Sequence, residues 1–553
     1  MKTIEDVRNF AFSPAAKSTE LILGVSLWVA TVCNYPLWEK IYRLDSRLDF
    51  GFVFAFMLAI TGISISTLSL LAWGKLLRPA LSSFVLMAAT GGYFMHAYGI
   101  VIDSSMITNV LQTDTREAAD LMNLEMIATL LALTVPAMWF IWRKEKPRLS
   151  PGKTLIQNSI LFISGLFLSI ISLMLAFQTF ASTMRNHKEV RYLINPFNSI
   201  YAVGKIAAEP LKKNNSLQVK IGEDAELGKN FGKYAAPVLI LILGETARSD
   251  HFGLNGYVRE STPLLSKRDD LISFTNAWSC GTSTAESLPC MFSHLKREDF
   301  LDRRDNYENL LDIIQRAGLK SIWVDNQSGC KGICDRITSV KQETYKDNKN
   351  CGEEECFDVV MLEELQGRID ALSKDSPGKG VVVILHQMGS HGPAYFKRSF
   401  GERKRYFPEC NTSALQSCTR DEVTNAYDNS IIETDYFISK TIDWINEIYP
   451  ERPTAMMYVS DHGESLGEKN IYLHGLPYAF APDAQKKIPW IVWLSESFKD
   501  MNLIESNCLG QMNNNIFISH DNYFHTALGL ANVKSKLYSS NLDIFEKCRL
   551  SRD

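Results

Sequence analysis

The run PVLILILGETARSDH, residues 237–251, decides the fold. Residues 238–243 are uniformly aliphatic, a run too short for an ordinary helix and without a polar face, which predicts a strand covered on both sides in a parallel sheet. It breaks at Gly244 into a carboxylate, hydroxyls and a guanidinium. KSIWVD (320–325), GVVVILH (380–386), TAMMYVS (454–460) and PWIVWLS (489–495) repeat the pattern with helical stretches between them. Residues 235–553 therefore read as an α/β domain. A parallel sheet gathers its ligands at the carboxyl ends of its strands, so the polar residues after each run are where chemistry is expected.

Upstream, the charges disappear. Residues 21–38, 50–74, 79–102, 126–142 and 154–184 contain no Asp, Glu, Lys or Arg. A bilayer core of about 30 Å takes roughly 20 apolar residues, so these runs predict a five-helix transmembrane domain over 1–184. Lys2, Arg8, Lys17, Lys75, Arg78, Arg143, Lys144, Lys146, Arg148 and Lys153 fall on one side of it, and Lys40, Arg43, Arg47 and Arg116 on the other. That imbalance puts the amino terminus in the cytoplasm and everything beyond 184 outside, with the first span an anchor and not a cleaved signal. Residues 185–234 form a linker. Asn195-Pro196 offers an N-cap and first-turn proline for an interfacial helix carrying Leu193, Phe197, Ile200, Tyr201, Ile206, Lys205, Lys212 and Lys213, and Asn214-Asn215-Ser216 reads as a loop. An ordinary amphipathic linker helix has the same pattern.

Cysteine placement agrees with export. Cys33 alone lies in the membrane part, and ten lie beyond it. Sequence neighbours suggest Cys280 with Cys290, Cys330 with Cys334, Cys351 with Cys356, Cys410 with Cys418, and Cys508 with Cys548, although sequence does not prove connectivity. A zinc-thiolate cluster is the rival, and no CxxC pair supports it. Lys+Arg 58 against Asp+Glu 62 gives a net charge of −4 without a long basic run, so no nucleic-acid partner is expected.

At the strand ends, Glu245, Asp461 and His462 offer two oxygens and a nitrogen, a set suited to Zn²⁺ with a fourth position open. Any one carboxylate after a strand is usually a helix cap; three converging ligands are less easily explained that way. The segment CGTSTAESLPC, 280–290, is rich in hydroxyls with Thr284 central. A threonine there is ordinarily a cap, but metal coordination lowers a hydroxyl's pKa and makes it a nucleophile.

Together with the charge-free amino half, GETARSDH, CGTSTAESLPC, HQMGSHGP (386–393), SDHGESLGE (460–468) and LHG (473–475) resemble the phosphoethanolamine transferases of Gram-negative inner membranes, the EptA and MCR type. The resemblance spans nearly the whole chain. It implies a multi-pass α-helical membrane domain plus an α/β alkaline-phosphatase or sulfatase-like periplasmic domain, with phosphatidylethanolamine as donor, lipid A as acceptor, diacylglycerol as leaving product and polymyxin (colistin) resistance as consequence. It implies a monomer in contact with inner-membrane lipids. Glu245, Thr284, Asp461 and His462 would hold one tight zinc, and Thr284 would carry the phosphoethanolamine covalently. His386, His391 and His474 match histidines whose roles stay open between binding substrate phosphate, protonating a leaving group and holding a second zinc. Lys331 matches a basic substrate-binding position, and Asn109, Thr113 and Glu117 match residues reaching the donor headgroup. The sulfatase nucleophile pattern C-x-P-x-R is absent, which disfavours sulfate-ester hydrolysis. Two rivals remain: the same chemistry on a lipopolysaccharide core sugar or periplasmic glucan, and a non-catalytic lipid-binding sensor. The sensor is expected to lack Thr284 or a metal ligand.

Overall fold

The computed structural model describes residues 14–44, 50–71, 73–113, 115–143, 150–212, 218–228, 231–341, 348–351, 355–375, 377–512 and 514–550. Lys2, Arg8, Arg47, Lys144, Lys146 and Arg148 of the charge tally, together with Lys213 and the 214–216 loop, lie outside them. The chain forms two compact units, one of Met1–Ile107 with Met122–Ile206, the other of Thr108–Leu121 with Ala207–Asp553. The segment 108–121, which carries Asn109, Thr113 and Glu117, thus groups with the catalytic unit.

Among the described residues of the first unit three helices are long and apolar enough to cross a membrane: Phe50–Leu71, Leu124–Arg143 and Pro151–Leu175. A fourth crossing is counted if Lys17–Cys33 and Tyr35–Leu44, bent by 47°, form one span. Two of the expected runs are broken. Residues 21–38 are interrupted at Asn34, whose side chain donates to the Val29 carbonyl at 2.8 Å just before Pro36, which has no amide hydrogen to give. Residues 154–184 divide at Ala176 into Pro151–Leu175 and Phe177–Asn186, and the first part alone, with 25 residues at 1.5 Å each, is long enough for a bilayer core of about 30 Å. Leu77–Ala97 is 21 residues long but diluted by Ser82, Ser83, Thr90, Gly91, Gly92 and His96.

Small residues set the packing of this unit. Phe50–Leu71 meets Pro151–Leu175 at Gly62 and Gly165, where a β-carbon on either glycine would lie 2.4 to 2.6 Å from the facing backbone oxygen. Ser66 donates to the Phe162 carbonyl and Ser169 to the Ala59 carbonyl, each at 2.9 Å, so the close approach also satisfies hydroxyls inside an apolar layer. The expected cap at Asn195 is not made. Its side chain donates instead to the Ala88 carbonyl at 2.5 Å, and the following helix runs Phe197–Lys212.

The catalytic unit is built on an eight-stranded sheet. Its strands are β1 Val238–Gly244, β2 Leu271–Trp278, β3 Lys320–Asp325, β4 Thr338–Lys341, β5 Val381–His386, β6 Thr454–Ser460, β7 Lys487–Leu494 and β8 Ile518–Ser519, in the spatial order 8-2-7-6-1-5-3-4. Four of the five expected strands, β6, β1, β5 and β3, pair in parallel. The fifth, β7, runs antiparallel to both neighbours, so continuous burial identified it as a strand without fixing its direction. Side chains alternate between two cores: Leu239, Leu241 and Leu243 face one with Trp323 and Met457, while Val238, Ile240 and Ile242 face the other with Val383 and Tyr458. Helix Arg420–Ile448 covers the second face, its start fixed by a capping box between Thr419 and Glu422.

Candidate active site

Parallel register brings the ligands together. Gly244 of β1 is the partner of Ser460 of β6, so Glu245 and Asp461, one residue further on, leave adjacent strands side by side with His462 next in chain. Thr284 is the first residue of helix Thr284–Met291, and the 280–290 disulfide closes the loop that presents it. Its Oγ1 lies 3.1 Å from Glu245 Oε2 and 3.4 Å from His462 Nε2. His462 Nε2 in turn lies 3.4 Å from Glu245 Oε1 and 3.3 Å from Asp461 Oδ2. All four residues are buried.

This set fits a divalent cation. His462 Nδ1 faces the Gly463 carbonyl at 2.9 Å, and a carbonyl only accepts, so Nδ1 carries the proton and Nε2 presents a lone pair. Burial pushes the His462 pKa down to about 4, which keeps the ring neutral. That lone pair faces carboxylate oxygens, acceptor against acceptor. Asp461 Oδ1 accepts the backbone N–H groups of Thr246 and His462, but its Oδ2 is buried with no hydrogen-bond donor among the described residues. Three oxygens and a neutral imidazole nitrogen converging on one point make the donor set of tetrahedral Zn²⁺.

A second group adjoins the first. His462, Glu464 and His474 place ligand atoms within 4.8 Å of one another, as do Glu245, Asp461 and His462. Glu464 Oε2 holds His474 Nδ1 at 2.8 Å and Oε1 accepts the Tyr395 hydroxyl at 2.5 Å. The His391 ring is centred 5.6 Å from that of His474, and burial, with the His474 charge next, drives its pKa well below the usual histidine value. His386 is held by a carboxylate: its Nδ1 meets Asp325 Oδ1 at 2.7 Å at the ends of β5 and β3, and its Nε2 is buried with no hydrogen-bond partner among the described residues.

The chain's likeness to other proteins accords with this site. The family described as "Phosphoethanolamine transferase EptA/EptB" matches residues 60–211, and the family described as "Sulfatase" matches residues 237–533. Phosphoethanolamine transferase EptA of Escherichia coli K12 is 39% identical over 545 residues, covering 97% of this chain and 98% of that protein. The chain belongs to the phosphoethanolamine transferases. Phosphatidylethanolamine transferase Mcr-1 of Escherichia coli is 36% identical over 86% of this transferase and 89% of its own length. The integral membrane lipooligosaccharide phosphoethanolamine transferase A of Neisseria meningitidis has a similar structure, with a TM-score of 0.88 at 33% identity over 96% of this chain and 98% of that one. This transferase accordingly combines apolar membrane-type helices with a sulfatase-like catalytic domain.

Several residues that build the transferase site carry no motif. Gln327, at the end of β3, donates from Nε2 to Glu245 Oε2 at 3.1 Å and accepts from the Ser328 backbone N–H and hydroxyl. Ser328 Oγ accepts from Lys331 Nζ at 2.9 Å, so the expected substrate lysine is joined to Glu245 through two intervening side chains. Lys331 sits at φ 50° inside the 330–334 disulfide loop, and its ammonium also donates to the Gln112 carbonyl. In the same segment the Thr113 hydroxyl donates to the Asn109 carbonyl at 2.8 Å; Glu117 lies in helix Thr115–Leu121, and its side chain is outside the described residues. Asp358 holds the HQMG turn: its buried carboxylate accepts the N–H groups of Met388 and Gly389 and the amides of Asn326 and Gln387. Gly389 is required there. Its φ is 53° and a β-carbon would stand 2.8 Å from the Glu245 carbonyl oxygen. Finally, buried His520 accepts the Cys280 N–H at Nδ1 and donates from Nε2 to the Ser460 carbonyl, linking the nucleophile loop to the strand that supplies Asp461.

Proposed function

We propose that this transferase moves phosphoethanolamine from phosphatidylethanolamine to a lipid A phosphate in two displacements at Thr284. The observation that carries the reading is Thr284 Oγ1, buried at 3.1 Å from Glu245 and 3.4 Å from the lone pair of His462. Glu245, Asp461 and His462 would hold one Zn²⁺ tightly with Thr284 as fourth ligand, and Glu464 and His474 offer donors for a second. When bound, the metal supplies positive charge that lowers the hydroxyl pKa and offsets charge developing on phosphorus. In the first displacement the Thr284 Oγ–P bond forms, the bond from phosphorus to the diacylglycerol oxygen breaks, and diacylglycerol leaves protonated. His474 is placed to carry that proton: Glu464 holds its Nδ1–H, leaving Nε2 as the exchanging atom. His391, half-buried, and His386, buried and held through Nδ1 by Asp325, bind substrate phosphate together with Lys331. In the second displacement an acceptor phosphate oxygen attacks phosphorus and Thr284 Oγ leaves, regaining a proton. Asn109, Thr113 and Glu117 take the donor headgroup, Glu117 pairing with its ammonium.

The same reading places the chain in the bacterial inner membrane through five spans, Leu77–Ala97 being counted as one of them, with its catalytic domain in the periplasm, acting as a monomer. Masking lipid A phosphate with an ammonium lowers outer-membrane negative charge and gives polymyxin resistance. A second acceptor reading is favoured by relatives named Kdo(2)-lipid A phosphoethanolamine 7''-transferase, 28% identical over 75% of this chain, and places the group on an inner-core sugar.

Incubation with phosphatidylethanolamine and no acceptor is expected to leave a phosphoethanolamine mass on the Thr284 peptide and release diacylglycerol. Thr284→Ser keeps part of this activity and Thr284→Ala loses it. Lipid A modified by Thr284→Ala at the wild-type rate would overturn the covalent reading, and mass spectrometry of lipopolysaccharide from the same cells locates the acceptor.

A further inference from the structure

Helices Leu77–Ala97 and Leu124–Arg143 pack against each other in the first unit, the start of one beside the end of the other. The charge tally places that end in the cytoplasm, and no step of the proposed reaction uses it. There the Trp142 indole N–H donates to Ser82 Oγ at 3.2 Å, bridging the two helices. The Arg78 guanidinium lies 5.4 Å from the Trp142 ring centroid, and the Arg143 guanidinium lies 4.0 Å from that of Trp139. A ring beneath a guanidinium takes its face and leaves the edge, with its forked N–H donors, for a second partner.

Carboxylates do not supply that partner. Lys17, Lys75, Arg78, Arg143 and Lys153 stand against Glu20 at this end among the described residues, and Arg143 makes no ion pair among them. The opposite end differs: Lys40 reaches Glu189 at 3.7 Å and Arg43 reaches Glu39 at 2.5 Å. Leading up to Arg143, the same helix face is apolar and exposed. Ile127, Leu131, Val135 and Trp139 precede it at four-residue intervals, which makes one stripe of a helix. Tryptophan and arginine at a helix end anchor it to any lipid surface, but here the Ser82 bridge fixes one ring and Arg143 faces an unanswered charge. A soluble anion leaves the apolar stripe unused, and a zwitterionic lipid brings an ammonium toward the arginines. A phospholipid with a net negative headgroup answers both features.

We infer that this helix pair binds one phospholipid of net negative headgroup, its phosphate held by Arg143 and Arg78 and one acyl chain lying along the stripe that ends at Trp139. The inference shares with the proposed function only the placement of these helices in a membrane, and it stands or falls apart from the transfer reaction.

The test titrates the full chain in detergent micelles with palmitoyl-oleoyl phosphatidylglycerol and follows bound lipid by native mass spectrometry. Phosphatidylcholine with the same chains and the chain-free headgroup glycerophosphoglycerol are separate arms. One cation beside a lipid phosphate is expected to change affinity about fivefold. Phosphatidylglycerol should therefore bind at least about fivefold tighter than phosphatidylcholine, the free headgroup should leave no adduct at the same concentration, and Arg143→Glu and Trp139→Ala should each lose about fivefold or more. Lys153→Glu makes the same charge change at the same end and is expected to stay within about twofold of wild type, since diffuse attraction alone is screened. Arg143, Trp139 and Lys153 are exposed, so all three variants report with folding intact. Equal affinity for phosphatidylcholine, a free headgroup that binds as well as the lipid, or a loss in Lys153→Glu as large as in Arg143→Glu overturns the site.

Discussion

Arg398 donates its Nε proton to the carbonyl oxygen of His391 across 2.9 Å. The other end of the same buried guanidinium meets Asp120 at 2.6 Å and pairs with Glu355, while Lys397 reaches the second Asp120 oxygen at 2.7 Å. One arginine thus ties helix Thr115–Leu121, which carries Glu117, to the turn that carries His391. Both ends of the proposed donor site depend on it.

Arg398→Ala takes their buried cation from Asp120 and Glu355 and leaves Lys397 beside Asp120, and breaking a buried pair this way costs about 3 to 5 kcal/mol. Thermal unfolding of the full chain is expected to show that loss, with faster proteolysis inside 108–121. Asp120→Asn keeps Arg398 paired with Glu355 and costs less. Equal stability of Arg398→Ala and wild type would sink the coupling.

Gln327 is expected to tune the metal. Its amide orients Glu245 by a hydrogen bond to Oε2, and removing such an orienting partner typically lowers metal affinity about 10- to 100-fold. Gln327→Leu should lose zinc to a chelator at correspondingly lower chelator concentration. Unchanged retention in that competition shows the amide to be incidental.

Much of this site was legible because it lies where short apolar runs end. GETARSDH and SDHGESLGE are contiguous, and β1 and β6 had only to be neighbours for Glu245, Asp461 and His462 to meet. Neighbouring cysteines likewise sit in the pairs 280–290, 330–334, 351–356, 410–418 and 508–548. Glu464, inside SDHGESLGE, does not stand out as a ligand in the sequence, because its value as one depends on His474 ten residues later folding back to it. Gln327, Asp358, Arg398 and His520 had no signal at all. Their partners lie dozens of residues away, Glu245 for Gln327, Asn326 and Met388 for Asp358, Asp120 for Arg398 and Cys280 for His520, and a lone Gln, Asp, Arg or His has the same appearance on a solvated surface. The direction of β7 was hidden for a related reason: burial on both faces erases the alternation that distinguishes an antiparallel strand.

Thiol counting checks the disulfides. Denatured, unreduced protein from an oxidising compartment is expected to show one free thiol, Cys33, which is buried among apolar residues and whose pKa plays no part in the count. Two or more thiols would mean that at least one of the five bridges is missing.

The last prediction concerns acid. His520 is buried between the Cys280 N–H and the Ser460 carbonyl, so its Nδ1 must stay unprotonated to accept; burial accordingly pushes its pKa from 6.5 down to about 4. Between those values the unfolded chain binds a proton that the folded chain refuses, so stability rises with pH across that window. The contribution is fully present above about 6.5 and lost as pH falls toward about 4, and 2.5 units at ~1.36 kcal/mol each amount to about 3 kcal/mol. His520→Asn offers an oxygen near the Nδ1 position to accept from Cys280 but no group that titrates. Its stability should be lower than wild type at pH 7, where the bond to Ser460 is lost, and should fall less steeply on acidification. Some slope remains, since burial also lowers His525 to about 4. Denaturant unfolding of both proteins at pH 7, 6 and 5 gives the comparison, and parallel curves would show that His520 titrates normally and that the link between the nucleophile loop and β6 does not depend on its neutral form.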